Sequence, residues 1–167
     1  LGGNAPILFR LLALLVTMLL AILLGMGMPA VPAYINAALL MGPLLVGLGI
    51  AHFTAHMFIF YFACASAITP PVAVASYAAS TITRADPIAT SLSAVRSGAV
   101  MFVIPFVFAF YPELLLIPAA MLSTDTVGGT KAFLPGYDGT IHIDTFLWLL
   151  ARLTLALYFL ASALARF

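Results

Sequence analysis

The stretch "CASAITPPVAVASYAAS", residues 64–80, decides how the rest of the sequence is interpreted. It places Ser66, Thr69 and two adjacent prolines, Pro70 and Pro71, in the middle of a long apolar run. Proline has no backbone N–H, and its ring disfavours continuation of the preceding helix. The stretch therefore predicts a discontinuous helix, broken at residues 66–71.

The surroundings of this break are typical of a membrane protein. The chain has 167 residues, of which 65% are hydrophobic and only 7% are charged, whereas about a quarter of the residues in a soluble domain are charged. The formal net charge is +1, so no basic surface indicates nucleic-acid binding. Cys64 is the single cysteine, which excludes a disulfide framework and a cysteine metal cluster. We expect an all-α polytopic protein in contact with lipid.

Apolar segments and breaks divide the chain into three predicted units. Residues 1–50 hold two apolar segments, 7–24 and 33–50, joined by "GMGMPAVP" at 25–32. Residues 51–122 hold the discontinuous helix, a polar loop at 83–97 and a following transmembrane helix. Within the loop, Asp86-Pro87 indicates a turn or a helix start. Residues 123–167 hold a polar loop and a final transmembrane helix over 146–165.

The first unit has two interpretations: two ordinary membrane crossings, or a re-entrant helical hairpin. The connection at 25–32 contains no charge, and apolar Gly/Pro-rich backbone at membrane depth is tolerated where protein or a cavity surrounds it. We favour the re-entrant hairpin, with its tip at 25–32. Lys and Arg counts are equal on the two sides of the membrane, so the orientation rests on the short, arginine-rich 83–97 loop. We expect this loop in the cytoplasm, and the hairpin then opens to the outside.

The helix break predicts a binding site. The carbonyls of residues 66–68 lose helical partners and, with the hydroxyls of Ser66 and Thr69, form oxygen ligands suited to a monovalent cation. The helix that restarts near Val72 directs its N-terminal N–H groups to the same place, which suits an anion. Two half-helices that meet near the membrane midplane are typical of secondary transporters. A proline kink without function is the alternative.

Three segments resemble the large membrane subunit of tripartite ATP-independent periplasmic (TRAP) transporters. They are "GMGMPAVPAYINAALLMGPLLVGLGI" at 25–50, "AHMFIFYFACASAITPPVAVASYAAS" at 55–80 and "FVIPFVFAFYPELLL" at 102–116. The sequence is most similar to the C-terminal part of fused permeases that work with TAXI-type binding proteins. The resemblance implies the second inverted repeat of an elevator-type transporter.

The resemblance also implies a function and its partners. It implies sodium-coupled symport of small organic anions, chiefly carboxylates, delivered by a periplasmic binding protein of the TAXI type. Sodium is the coupling ion, with no other cofactor and no divalent metal. The other permease repeat and the small-subunit portion are expected in a larger protein, in a bacterial or archaeal inner membrane. A channel, a structural membrane subunit without a site and an intramembrane enzyme are the alternatives.

The residues that the resemblance assigns lie at the hairpin tip and the helix break. Pro29 is followed here by Ala30, where the family often has a hydroxyl residue, so this chain lacks that polar group. The predicted sodium-binding residues are Gly25, Gly27, Met28, Ser66 and Thr69; the predicted substrate-binding residues are Pro29, Ala30, Asn36, Thr69, Pro70 and Pro71.

Two histidines outside these sets, His52 and His56, are spaced i, i+4, as metal ligands or an enzyme's polar residues can be. No third ligand is near them in the sequence. We therefore predict that they cap a helix or form hydrogen bonds between helices.

Overall fold

A computed structural model describes residues 6–115, 126–127, 130–131 and 143–165 of the chain. Within these ranges the regular elements are helices, apart from a two-residue antiparallel ladder in which Thr126–Val127 pairs with Thr130–Lys131. This agrees with the predicted all-α class. The helices are α1 (Ile7–Gly25), α2 (Ala30–Gly47), α3 (His52–Ala65), α4 (Val74–Thr83), α5 (Pro87–Ser97), α6 (Ala99–Phe110), a 3-10 turn (Pro112–Leu115) and α7 (Ile143–Ala165).

Helices α1 and α2 form a hairpin that turns within four residues. Gly27 occupies the left-handed region with φ of 76°, which costs glycine nothing, and Pro29 directly precedes α2. Helix α1 has 19 residues and α2 has 18, long and apolar enough to cross a membrane. Among the described residues α7 is the third such helix, so the chain is a multi-pass membrane protein.

The centre of the helical core is α3, which packs against α1, α2 and α6. Its Phe58 and Phe62 rings are fully buried and meet Phe106 of α6 with centroids 5.3 and 6.0 Å apart. Helix α2 presents fully buried Ala33 and Ala37, and such small side chains let helix backbones approach closely in membranes. The short α3, of 14 residues, is thus held on several sides before the chain breaks.

A polar contact also joins α2 to α3. The hydroxyl of Tyr34 lies 2.8 Å from Nδ1 of His56, and the ring of Tyr34 packs edge-on against Phe60. The ring of His52 lies against that of His56, with centroids 4.3 Å apart. The prediction that these histidines serve hydrogen bonding between helices is therefore confirmed for His56.

The hairpin tip rests on the end of α3. Gly25, the last residue of α1, is buried, and a Cβ atom added there would lie 2.4 Å from Oγ and 2.8 Å from Cβ of Ser66. Both distances are far below van der Waals contact, so only glycine fits without movement of α3. The two helix breaks that the sequence predicts separately are therefore packed against one another.

The connection predicted as a polar loop at 83–97 is mostly helix α5. The Asp86 side chain accepts a hydrogen bond of 2.7 Å from the Ala89 backbone N–H, and Pro87 follows as the first helical residue. An N-cap of this type with proline at the first position is a strong helix start. Local capping therefore overrides the polar composition on which the loop prediction rested.

The transmembrane helix predicted to follow that loop is bent and interrupted. Helices α5 and α6 meet at Gly98 with a bend of 43°. Together they are long and apolar enough to form either a broken membrane span or a re-entrant loop. Cδ1 of Ile68, from the break after α3, would lie 3.5 Å from a Cβ atom at Gly98. Helix α6 ends at Phe110, before the 3-10 turn, and residues 116–122 of the predicted helix lie outside the described residues.

The final helix agrees with the prediction but begins earlier. Helix α7 starts at Ile143 rather than 146, with Asp144 in its first turn, where an acidic side chain is favourable. Most of the predicted polar loop at 123–144 lies outside the described residues, which include the short ladder within it.

We predict that Gly25→Ala destabilises the protein by about 1–3 kcal/mol, the usual cost of an extra group in a packed interior. The added methyl group would displace Ser66, whose Oγ and Cβ it meets. Thermal unfolding of the purified protein in detergent measures the effect. Gly47→Ala is the matched control, because a Cβ atom there has nothing within 4 Å. Equal stability of the two variants would contradict the close packing of the tip.

A second prediction concerns the contact between α2 and α3. Tyr34→Phe removes only the hydroxyl that meets His56, so we expect a loss of about 0.5–1.5 kcal/mol, the net value of one hydrogen bond. The same unfolding measurement tests it. Tyr158→Phe on α7, where the side chain is 69% exposed, should leave stability unchanged. An unchanged unfolding midpoint in Tyr34→Phe would show that the contact contributes nothing.

Candidate functional site at the helix break

The break between α3 and α4 spans residues 66–73, two residues longer than predicted. Helix α3 ends at Ala65 and α4 begins at Val74. The peptide bond between Pro70 and Pro71 is cis, and buried Ala73 has a positive φ of 27°. Both prolines lie inside the irregular segment, where their missing N–H groups cost no helical hydrogen bond.

The segment forms hydrogen bonds with itself across the break. The Ala75 N–H, in the first turn of α4, donates to the Ala67 carbonyl at 3.0 Å, and the Ala73 N–H donates to that of Thr69 at 3.2 Å. The Tyr77 hydroxyl donates to the Pro71 carbonyl. These bonds tie the start of α4 to the irregular segment, since unsatisfied backbone groups are costly in apolar surroundings.

These bonds leave a particular set of carbonyls. The carbonyls of Ala67, Thr69 and Pro71 accept hydrogen bonds, as does that of Ser66, from the Thr69 N–H at 3.3 Å. Within the part of the chain that the structure describes, three carbonyls of the break accept none. They belong to Ile68, Pro70 and Val72. The expectation that the carbonyls of 66–68 lose their partners therefore holds only for Ile68. Thr69 within the break supplies the donor to Ser66, and Ala75 in α4 supplies the donor to Ala67.

The two predicted hydroxyls at the break face backbone carbonyls of α3. Ser66 Oγ is buried and donates to the Ala63 carbonyl at 2.6 Å, and half-buried Thr69 Oγ1 donates to that of Ala65 at 2.8 Å. Each hydroxyl proton is thereby used, and the oxygen lone pairs remain as acceptors. Because only lone pairs remain, such a hydroxyl oxygen can bind a cation, whereas it has no proton left to donate to the carboxylate of a substrate.

Donors gather on the other side of the break, in the first turn of α4. The backbone N–H groups of Val74 and Ser76 donate to nothing in the described ranges. The Ser76 hydroxyl is also buried, and it has no hydrogen-bond partner there. The start of a helix carries a partial positive charge. In the described residues the break thus has acceptors over residues 66–72, called its acceptor side, and donors in the first turn of α4, called its donor side.

The hairpin tip contributes some of its predicted residues to this region. Gly25 packs on Ser66, and a Cβ atom at Gly27 would lie 3.7 Å from Val72. Exposed Met28 has its sulfur 4.0 Å from the Asn36 amide nitrogen, which joins these two predicted residues to one another.

Pro29 and Ala30 lie at the start of α2. Pro29 is exposed, and Ala30 is the first helical residue and partly buried. Together the tip and the break bring Gly25, Gly27, Ser66 and the segment containing Thr69, Pro70 and Pro71 into one region.

Several residues of this region were not predicted from the sequence. Tyr77 and Ser76 lie beyond the break, and their six- and five-residue separation from Pro71 follows no helical spacing. The signal that could have found them is position: polar residues in the first turn after a break are near its released backbone groups. No feature of the sequence indicates that carbonyls with and without a hydrogen bond alternate along the break.

No metal cluster stands beside this site in the described residues, where no three His, Cys, Asp or Glu side chains group together. Three side chains of the polar loop that are of the type that binds divalent ions lie outside the described part of the chain: Asp125, Asp138 and His142. His56 is engaged with Tyr34. The chemistry of the break is accordingly that of backbone and hydroxyl oxygens facing N–H groups.

Comparison with known proteins identifies the family. A family model described as the tripartite ATP-independent periplasmic transporter, DctM component, matches residues 5–122, which include the hairpin, the break and α6. No curated protein and no solved structure matches the chain. The family is one of transporters rather than enzymes, and it implies partnership with a periplasmic substrate-binding protein and a small subunit. The chain belongs to the DctM family, the large membrane component of TRAP transporters.

Proposed function

We propose that the chain is the permease part of a sodium-coupled symporter that imports small organic anions, carboxylates above all. The observation that carries this proposal is the contact between Gly25 at the hairpin tip and Ser66 at the helix break. It joins two irregular backbone segments in a region with acceptors on one side and donors on the other. One cation and one anion bound side by side require such an arrangement.

The acceptor side fits sodium. A hard monovalent cation prefers oxygen ligands, and the break offers the hydroxyl oxygens of Ser66 and Thr69 and the carbonyls of Ile68, Pro70 and Val72. No carboxylate lies between residues 11 and 85, so neutral oxygens must provide the ligands. Gly25, Gly27 and Met28 at the tip would complete the ion site. When bound, sodium would supply a positive charge that attracts the anionic substrate to the same region.

The donor side fits the carboxylate of a substrate. The N–H groups of Val74 and Ser76 and the partial positive charge at the start of α4 are suited to an anion. Thr69, Pro70 and Pro71 of the break are proposed to line the substrate site. From the hairpin we assign Pro29, Ala30 and Asn36 to it.

We propose the following architecture for the complete transporter. The α1–α2 hairpin is re-entrant, and α3 and α4 are the halves of the discontinuous helix in the second inverted repeat. The other permease repeat and the small-subunit portion, in a fused permease, complete the elevator. The uncharged tip, packed on α3, supports this arrangement over two independent crossings.

The setting of the transporter follows from this proposal. The membrane is the inner membrane of a bacterial or archaeal cell, with α5 on the cytoplasmic side. A TAXI-type periplasmic binding protein delivers the substrate to the opposite side.

Sodium binding is tested by thermal unfolding of the complete permease in detergent, with sodium titrated against potassium at fixed ionic strength. A ligand that binds only the folded state stabilises it by about 2.7 kcal/mol at 100 times its dissociation constant. We expect a saturable rise of the unfolding midpoint with sodium alone. Thr69→Val and Ser66→Ala should raise the half-saturating sodium concentration about tenfold or more, since hydrogen-bonding groups that meet a charge contribute about 1.5–3 kcal/mol.

The matched control is Thr17→Val in α1. Thr17 is fully buried, and its hydroxyl donates to the Ala13 carbonyl at 2.7 Å, the same i−4 contact that Thr69 makes with Ala65. Its loss should lower stability without changing the sodium response. A wild-type protein with equal midpoints in sodium and potassium would refute the ion site, and an unchanged sodium response in both Ser66 and Thr69 variants would remove these two residues from it.

A further inference from the structure

Tyr77 connects the two halves of the discontinuous helix. It is the fourth residue of α4, and its side chain is partly buried. Its hydroxyl donates to the carbonyl of Pro71, six residues earlier. Its own backbone N–H donates to the Ala73 carbonyl at 2.9 Å. The side chain therefore reaches back over the last residues of the break from a position fixed by the helix.

The bond to Pro71 determines the orientation of one peptide unit. Pro71 is exposed, and neither its own nitrogen nor that of Pro70 can donate a hydrogen bond. No N–H donor within the two prolines can therefore hold this part of the chain. The Tyr77 hydroxyl is the group that holds the Pro71 carbonyl among the described residues.

Fixing this carbonyl also fixes the groups on either side of it. The carbonyls of Pro70 and Val72, which accept no hydrogen bond in the described ranges, flank the one that Tyr77 holds. The ring of Pro71 fixes its φ angle, so its ψ angle alone sets the orientation of its carbonyl relative to that of Pro70. Holding the Pro71 carbonyl restricts this ψ angle and the φ angle of Val72. The hydroxyl thus acts on oxygens that it does not touch.

We infer that Tyr77 is a positioning residue for the ion site. Its hydroxyl holds the Pro71 carbonyl by a hydrogen bond and thereby keeps the carbonyls of Pro70 and Val72 oriented toward the bound cation. The inference rests on the proposed sodium coupling. It assigns to Tyr77 an effect on ion affinity that exceeds its effect on folding.

The test uses the complete permease in detergent, with Tyr77→Phe, which removes the hydroxyl and keeps the ring. Unfolding midpoints are measured over a sodium chloride titration, with potassium chloride holding the ionic strength constant. We expect the half-saturating sodium concentration to rise about threefold to tenfold, the fold-change that corresponds to the loss of one net hydrogen bond. The full sodium-induced shift should still be reached at saturation.

Ser80→Ala is the matched control on the same helix. Ser80 is buried, and its hydroxyl donates to the Tyr77 carbonyl at 2.7 Å within α4 rather than to the break. It should leave the half-saturating concentration unchanged, whatever it does to the midpoint in potassium.

The possible outcomes separate the two proposals. A lower midpoint in potassium with an unchanged half-saturating sodium concentration would make Tyr77 a structural residue only, and would overturn the inference while sodium coupling stands. A wild-type protein with no sodium response would overturn both. A raised half-saturating concentration in Tyr77→Phe but not in Ser80→Ala is the result that supports the positioning role.

Discussion

The structure depends on one constraint: a helix interrupted in apolar surroundings must still satisfy its backbone groups. Each N–H or carbonyl left unpaired in hydrocarbon costs several kcal/mol. Residues 66–73 meet this demand with bonds that cross the break, from Ala75 to Ala67 and from Tyr77 to Pro71. Among the described residues, the groups of the break that remain unpaired are few and lie between the end of α3 and the first turn of α4. The same constraint that restricts where a helix can be broken thus determines where a polar ligand can bind.

The hairpin also helps to meet this constraint, because its tip covers part of the break. An irregular segment at membrane depth needs protein around it, and the tip of the α1–α2 hairpin provides that cover at Ser66 and Val72. The absence of a side chain at Gly25 is what permits the contact. The bend at Gly98 lies against Ile68 of the same segment. Three interruptions of regular helix therefore lie together, although they are far apart in sequence.

Much of this arrangement could be predicted from sequence, because proline and glycine act locally. The break near Pro70 and Pro71, the turn near Gly27 and the hydroxyls of Ser66 and Thr69 follow from the properties of single residues. The pair Asp86-Pro87 indicates a turn or a helix start, but the polar composition of residues 83–97 favoured a loop over the helix that follows it, Pro87–Ser97. The partners of individual carbonyls could not be predicted, since they depend on donors such as Tyr77 and Ala75 that reach across irregular backbone. The meeting of Tyr34 with His56 likewise needs the packing of two helices, which spacing along one helix does not give.

The alternation of carbonyls along the break also bears on how this segment can change over evolutionary time. Ala67, Thr69 and Pro71 accept hydrogen bonds, whereas Ile68, Pro70 and Val72 accept none from the described residues. The donors outside the segment, the Ala75 N–H and the Tyr77 hydroxyl, are fixed by helix α4. Inserting or deleting one residue in the segment would change which carbonyls lie opposite these donors. The length of the segment therefore constrains the site in addition to the prolines and hydroxyls within it.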